Sequence, residues 1–300
     1  MDRKKGIRGW GIGVAGVALA IVSAMALAAL SSCTAPSRPV KPTIHTTKSF
    51  DAVFGELPPM EAPGPLYATV VYFPSAKAPG KYLPVPIFST EPGKEETLAV
   101  RTVIRGIDQE EFARKVVFPF PKGSDLLSFG YEGTRAMLRV GGTFTAGSLS
   151  NKEGEMAARS VALTVAQFGK ATAADITDAE GKVHFIGRSG EAETADPGNP
   201  GALGLLAIRE EKGKPDRSLA LLFDRPVFVE DIAFFRPGGN STYPGKTYAT
   251  GFGMSVEFHP DPGIVFDPKD AYRIRFKVRD GKGRTAAGEE RWVPKEIVRD

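Results

Sequence analysis

LYATVVYFP (Leu66–Pro74), YLPVPIF (Tyr82–Phe88) and EETLAVRTVIRGI (Glu95–Ile107) open the stretch that decides this fold. The first two are apolar runs parted by a Pro/Gly turn and read as strands. The third places Val100, Val103, Ile104 and Ile107 at i, i+3, i+4 and i+7, the spacing of one helix face. Its other face carries Glu95, Glu96, Arg101 and Arg105, so this helix is expected to cover a sheet and face water. Glu91-Pro92-Gly93 signals the turn before it, and Gly106 is a candidate stop. FPKGSDLLSFGYEGTRAMLRV (Phe120–Val140) then has the pattern of a hairpin, and AADITDAEGKVHFIG (Ala173–Gly187) that of a closing one.

Between the hairpins lies EGEMAARSVALTVAQF (Glu153–Phe168), a second helix of different character. From Met156 to Phe168 its only charge is Arg159, and Ala157, Ala158, Ala162 and Ala166 keep it slim. A helix apolar nearly all round is buried on more than one side. Either it sits deep in its own domain, or its outer face, with Ala158, Ala162 and Ala166, is a protein interface. The alternation of strands and helices predicts an α+β unit over 66–188, with helices on one face of a mixed sheet.

Outward from this unit the chain changes on both sides. Residues 33–65 are rich in Pro, Thr and Ser and read as a tether, interrupted by Phe50, Val53 and Phe54, which are expected to dock locally on the next domain. Residues 189–202 (SGEAETADPGNPGA) are polar and breaker-rich and read as a linker. From 203 to 300, short apolar runs alternate with turns such as RPGGN, HPDPG and RDGKG. YRIRFKV (Tyr272–Val278) alternates strictly, as a half-buried strand does. This part is predicted to be an all-β sandwich.

Length and composition fit two globular domains: 300 residues, 42% hydrophobic and 25% charged. The formal charge of +4 invites a nucleic-acid reading, yet it is localised. Arg3, Lys4, Lys5 and Arg8 stand against Asp2 alone in residues 1–32, and the remainder is close to neutral. No nucleic-acid partner is therefore expected. After those basic residues, Gly11–Leu30 carries no charge, as in an export signal. The chain's single cysteine closes Leu30-Ser31-Ser32-Cys33. That tetrapeptide resembles the lipobox of bacterial lipoproteins, which implies cleavage between Ser32 and Cys33, acylation of Cys33, and an extracytoplasmic, membrane-anchored protein. An uncleaved membrane helix over the same apolar run is the alternative.

Several landmarks of the 66–188 unit occur in a recognisable order: VVYFP, YLPVPI, AVRTVIRG, PKGSDLLS, GSLSNKEGEMAARSVALTVAQFGKA and the strand pair around Asp178–Phe185. Together they resemble the GerMN domain of sporulation and spore-germination lipoproteins, found also in other bacterial envelope lipoproteins. Ile107–Phe120 departs from the family, being longer and more charged than its usual connection. The resemblance implies a small α+β domain similar to the ring-building motifs of secretion systems, and a role in assembly with an envelope protein partner or a second copy of itself. It carries no catalytic residues. The ending YRIRFKVRDGKGRT is similar to the last hairpin of many bacterial immunoglobulin-like domains.

Motifs for chemistry are sparse. His45, His184 and His259 are dispersed, without the spacing of a zinc site, and His259 before Pro-Asp-Pro-Gly is expected in a turn. Asp108, Glu110 and Glu111 could act as acid and base but fit a solvated face better. Neither a G-x-S-x-G elbow nor a P-loop is present. Asn240-Ser241-Thr242 matches a glycosylation sequon, accidentally so in a bacterial lipoprotein. The expectation is a non-catalytic scaffold without cofactor or metal. The alternative is a cell-wall glycan or small-ligand module, with Phe234, Phe235, Tyr243, Tyr248 and Phe252 as candidate aromatics.

Overall fold

The computed structural model describes residues 43–60, 64–107, 112–209 and 217–298. Strands β2 (Leu66–Pro74) and β3 (Lys81–Ser89) form the hairpin expected of the two apolar runs, paired from Tyr67↔Ser89 to Pro74↔Tyr82. Helix α2 (Glu95–Arg105) buries Ala99, Val100, Val103 and Ile104, as its periodicity requires, and ends at Gly106 with φ 80°. Strands β4 (Ser124–Glu132) and β5 (Arg135–Gly142) form the second hairpin. Helix α3 (Asn151–Ala166) crosses over to β6 (Ala173–Asp178), which lies parallel to β5, and β7 (His184–Arg188) closes the sheet in the order β4-β5-β6-β7.

This half of the molecule is α+β, but the single mixed sheet predicted from sequence is replaced by two. Strand β2 belongs to a separate sheet in which β1 (Ile44–Thr46) pairs with it in parallel and β8 (Glu193–Thr194) pairs with β3. Helix α3 lies between the sheets and makes their separation possible. Beyond Ala68, the edge of β2 that β1 leaves free is bonded by side chains of α3. Gln167 accepts from the Val70 N–H (3.0 Å) and donates to its carbonyl (2.6 Å). Thr164 accepts from the Tyr72 N–H (3.1 Å), and Ser160 donates to the Tyr72 carbonyl. Past the helix, Val117 N–H takes the Pro74 carbonyl at 2.8 Å. Every buried polar group of an edge strand must find a partner. Here a polar stripe at i, i+4 and i+7 of a helix replaces the missing strand.

Part of the segment expected as a tether, residues 33–65, is folded: it contains β1 and helix α1 (Lys48–Val53), which is capped by Thr47, whose hydroxyl accepts from Phe50 N–H. Phe50 and Phe54 are buried with Ala68, Val70, Tyr72 and Tyr82. Their spacing i, i+4 gives a one-turn helix an apolar face, and that burial offsets the entropy of ordering the segment.

The remainder is all β. One sheet has the order β12-β13-β10-β9-β16, from β9 (Ala202–Arg209), β10 (Arg217–Phe223), β12 (Gly245–Thr250), β13 (Ser255–Pro260) and β16 (Lys295–Val298). The other is β11-β14-β15, from β11 (Phe228–Phe235), β14 (Tyr272–Arg279) and β15 (Thr285–Trp292). Tyr272, Ile274, Phe276 and Val278 on β14 point inward and meet Leu205, Leu219, Leu221 and Val256 of the facing sheet in one core. Residues 41–300 form a single compact unit. Leu203 and Leu222 join the core of the first half, and Phe88 stacks on Phe252 with centroids 4.9 Å apart.

Candidate functional site

The junction between the two halves is built on Asp224 and Arg225, which follow β10 in LALLFDRPV. Pro226 cannot continue a ladder, so the chain bends there and the charged pair turns inward. Asp224, Arg225 and Asp280 are 6%, 2% and 0% exposed. Arg225 grips Asp224 with two bonds, Nε to Oδ1 at 3.0 Å and Nη2 to Oδ2 at 3.2 Å, and reaches Asp280 Oδ2 at 3.4 Å. Nη1 also donates to the Gly198 carbonyl (2.9 Å), and Nη2, its two N–H shared among three acceptors, also reaches the carbonyls of Pro197 (2.8 Å) and Asn199 (3.4 Å). A planar guanidinium presents five donors, and here all five directions find acceptors.

Both carboxylates are equally committed. Asp224 accepts from Lys115 Nζ and from Gly201 N–H at 3.1 Å. Asp280 accepts from the backbone of Lys282 and Arg284, each at 3.0 Å, and from Arg284 Nε at 2.7 Å. Arg284 then donates to the Val53 carbonyl at the end of α1, 2.7 Å away. One buried network thus ties helix α1, the first half, residues 196–201 and the β-rich half. Burial pushes the Asp224 carboxyl up, but Arg225 and Lys115 outweigh it and hold it below the usual carboxylate range.

Residues 189–202 are therefore not a free linker. They contain β8, paired to β3, and three carbonyls clamped by Arg225. The polar, Pro/Gly-rich composition that suggested mobility supplies unpaired carbonyls, which are what a buried guanidinium requires. A cavity of about 180 Å³ adjoins the network, with Lys115, Asp224, Phe54, Phe112 and Ser75 in its wall. Ser75 is its one hydroxyl, and its Oγ accepts from Lys77 and Ala78 N–H in its own turn (3.3 and 3.1 Å). Among the described residues of its wall the titratable groups are Lys77, Lys115, Asp196, Asp224 and Arg225, and there is no histidine.

The residues singled out in the sequence are scattered. Ser32 and Cys33 lie outside the described residues, as do Asp108, Glu110 and Glu111. Ala158 and Ala162 are completely buried in the core and do not form an exposed interface, while Ala166 is half-buried. The helix backbone is approached closely from inside the fold at Ala158: a Cβ on Gly187 of β7 would lie 2.3 Å from the Ala158 carbonyl carbon. His45 stacks on Tyr67 at 4.9 Å. His184 Nε2 lies 2.7 Å from Asp175 Oδ1. His259, expected in a turn, belongs to β13 and lies 3.1 Å from Glu257. Of the candidate aromatics, Phe234 and Phe235 are buried, Tyr243 and Phe252 are half-buried, and Tyr248 is exposed. They do not form a common platform. Among the described residues no three His, Cys, Asp or Glu side chains group to hold a metal ion, and no helix is long and apolar enough to cross a membrane.

No protein-family model matches the chain, and no curated protein matches it. The junction itself went unread in the sequence. Its signal was an Asp-Arg pair set between two apolar runs, LALLF and PVFV, where a solvated turn would carry no such flanks.

Proposed function

We propose that this chain is a lipid-anchored lipoprotein of the bacterial envelope that works without catalysis, as a rigid scaffold for an envelope protein partner or for a second copy of itself. In this reading Cys33 carries the lipid after cleavage behind Ser32, residues 66–188 are GerMN-like, and the β-rich half is immunoglobulin-like. The observation that supports it most is the Arg225 network, which joins the anchor-proximal helix α1 to both halves of the folded body. A scaffold must hold its surfaces at fixed spacing from its attachment point, and a buried, fully bonded charge network does this through directional bonds.

Metabolic labelling with a fatty acid should mark the wild type and leave Cys33→Ser unmarked and unprocessed. Label on the variant, or none on the wild type, removes the anchor from the reading. Crosslinking in intact cells should then capture one dominant protein or a second copy of this chain. Capture of cell-wall fragments in their place would replace the scaffold with the glycan-binding alternative.

A further inference from the structure

The outer end of the β11-β14-β15 sheet carries an unusual arrangement of charge. Arg273 and Arg291 are directly opposite each other on β14 and β15, and like charges at such positions repel. Arg236, just after β11, joins them around a recess of about 200 Å³. The rest of the wall is Pro237, Gly238, Gly239, Asn240 and Ala271, with no carboxylate among them.

The three guanidiniums are not equivalent. Arg273 is fixed, lying over the Phe235 ring at 4.1 Å, bonded to Glu289 at 3.1 Å, and donating to Gly239 O (3.0 Å) and Asn240 Oδ1 (2.8 Å). It therefore holds the 236–240 loop in place. Arg236 lies over the Tyr243 ring at 5.1 Å, and neither it nor Arg291 has a carboxylate partner among the described residues. Both are exposed. Two uncompensated forks beside a rigid third make a receptor for a multivalent oxygen anion, which accepts several N–H donors and relieves the repulsion between the arginines.

We propose that this recess binds a phosphate-type oxyanion, either free phosphate or the phosphodiester of a phospholipid headgroup, through Arg236 and Arg291, with Arg273 as the positioning residue. The site lies outside the Arg225 junction, and its occupancy does not depend on the scaffold reading.

The test uses the full chain in detergent micelles, titrated calorimetrically with inorganic phosphate and with glycerophosphoglycerol, the deacylated headgroup, against sodium chloride of equal ionic strength. At least one phosphate compound should bind saturably where chloride does not. The double variant Arg236→Gln/Arg291→Gln should raise its Kd about tenfold or more, while the remote, exposed Arg101→Gln should leave it unchanged. Both substitutions are at exposed side chains, and thermal melts would verify that the variant stays folded. Tighter binding of phosphate assigns the free anion, and tighter binding of glycerophosphoglycerol assigns the headgroup. Binding no stronger than chloride, or equal binding by the double variant, overturns the proposal.

Discussion

Arg225 shows how much one side chain decides when it is buried with its partners. Removing it takes from two buried carboxylates and three carbonyls the guanidinium that joins them. Arg225→Met should therefore destabilise the protein by about 3–5 kcal/mol, read from urea unfolding. Arg225→Lys keeps the charge but presents a compact ammonium in place of a fork, so it should recover only part of the loss. Asp224 adds a pH signature. Its folded-state pKa lies below the unfolded value of about 3.9, so its stabilisation is fully present above that value and is lost as pH falls through the folded pKa. Wild-type stability should drop between roughly pH 5 and pH 3 by more than that of Asp224→Asn. Parallel curves for the two proteins would mean that the carboxyl is not held low by its cations.

At the scale of elements, α3 carries the most of the architecture. Its capping box, with Ser150 Oγ accepting from Glu153 N–H and the Glu153 carboxylate accepting from Ser150 N–H, fixes where it starts. Gly187 lets β7 ride directly on its backbone, and its Ser160, Thr164 and Gln167 stripe closes the edge of β2. Gly187 is where the first of these is tested. Gly187→Ala would push a methyl into the α3 backbone and should cost about 3 kcal/mol in chemical denaturation. Gly190, three residues on, has open space around it, so Gly190→Ala should stay within about 0.5 kcal/mol of wild type. Equal effects would mean that the strand–helix approach is looser than these distances.

For the whole molecule, the junction predicts cooperativity. The two halves share the Arg225 network, the Phe88–Phe252 stack, and Leu203 packed into the first core. Urea unfolding followed by tryptophan fluorescence and by far-UV circular dichroism should give one coincident transition. Of the two tryptophans, Trp10 precedes the expected cleavage site and Trp292 lies in the β-rich half, so fluorescence of the processed chain weights that half, whereas the helices that dominate the dichroism lie in the first. Two separated transitions would make the halves independent domains joined by a linker.

What the sequence determined by itself is local. The strands Leu66–Pro74 and Tyr82–Phe88, both long helices, the hairpins and the alternating strand Tyr272–Val278 follow from periodicity and turn chemistry, which neighbouring residues settle among themselves. The docking of Phe50 and Phe54 was legible too, because with Val53 they interrupt an otherwise polar, Pro/Thr-rich segment. Only the tertiary structure decided the rest. The slim face of α3 reads equally well as an external contact and as an internal one, because small size tells that a backbone comes close but not which backbone. Residues 189–202 look like a linker until a guanidinium 26 or more residues away supplies donors to their carbonyls. Partners of that kind are remote in the chain, and composition measures only a segment's own preferences. Burial, which turns an Asp-Arg pair from a solvated turn into a clamp, is a property of the assembled fold alone.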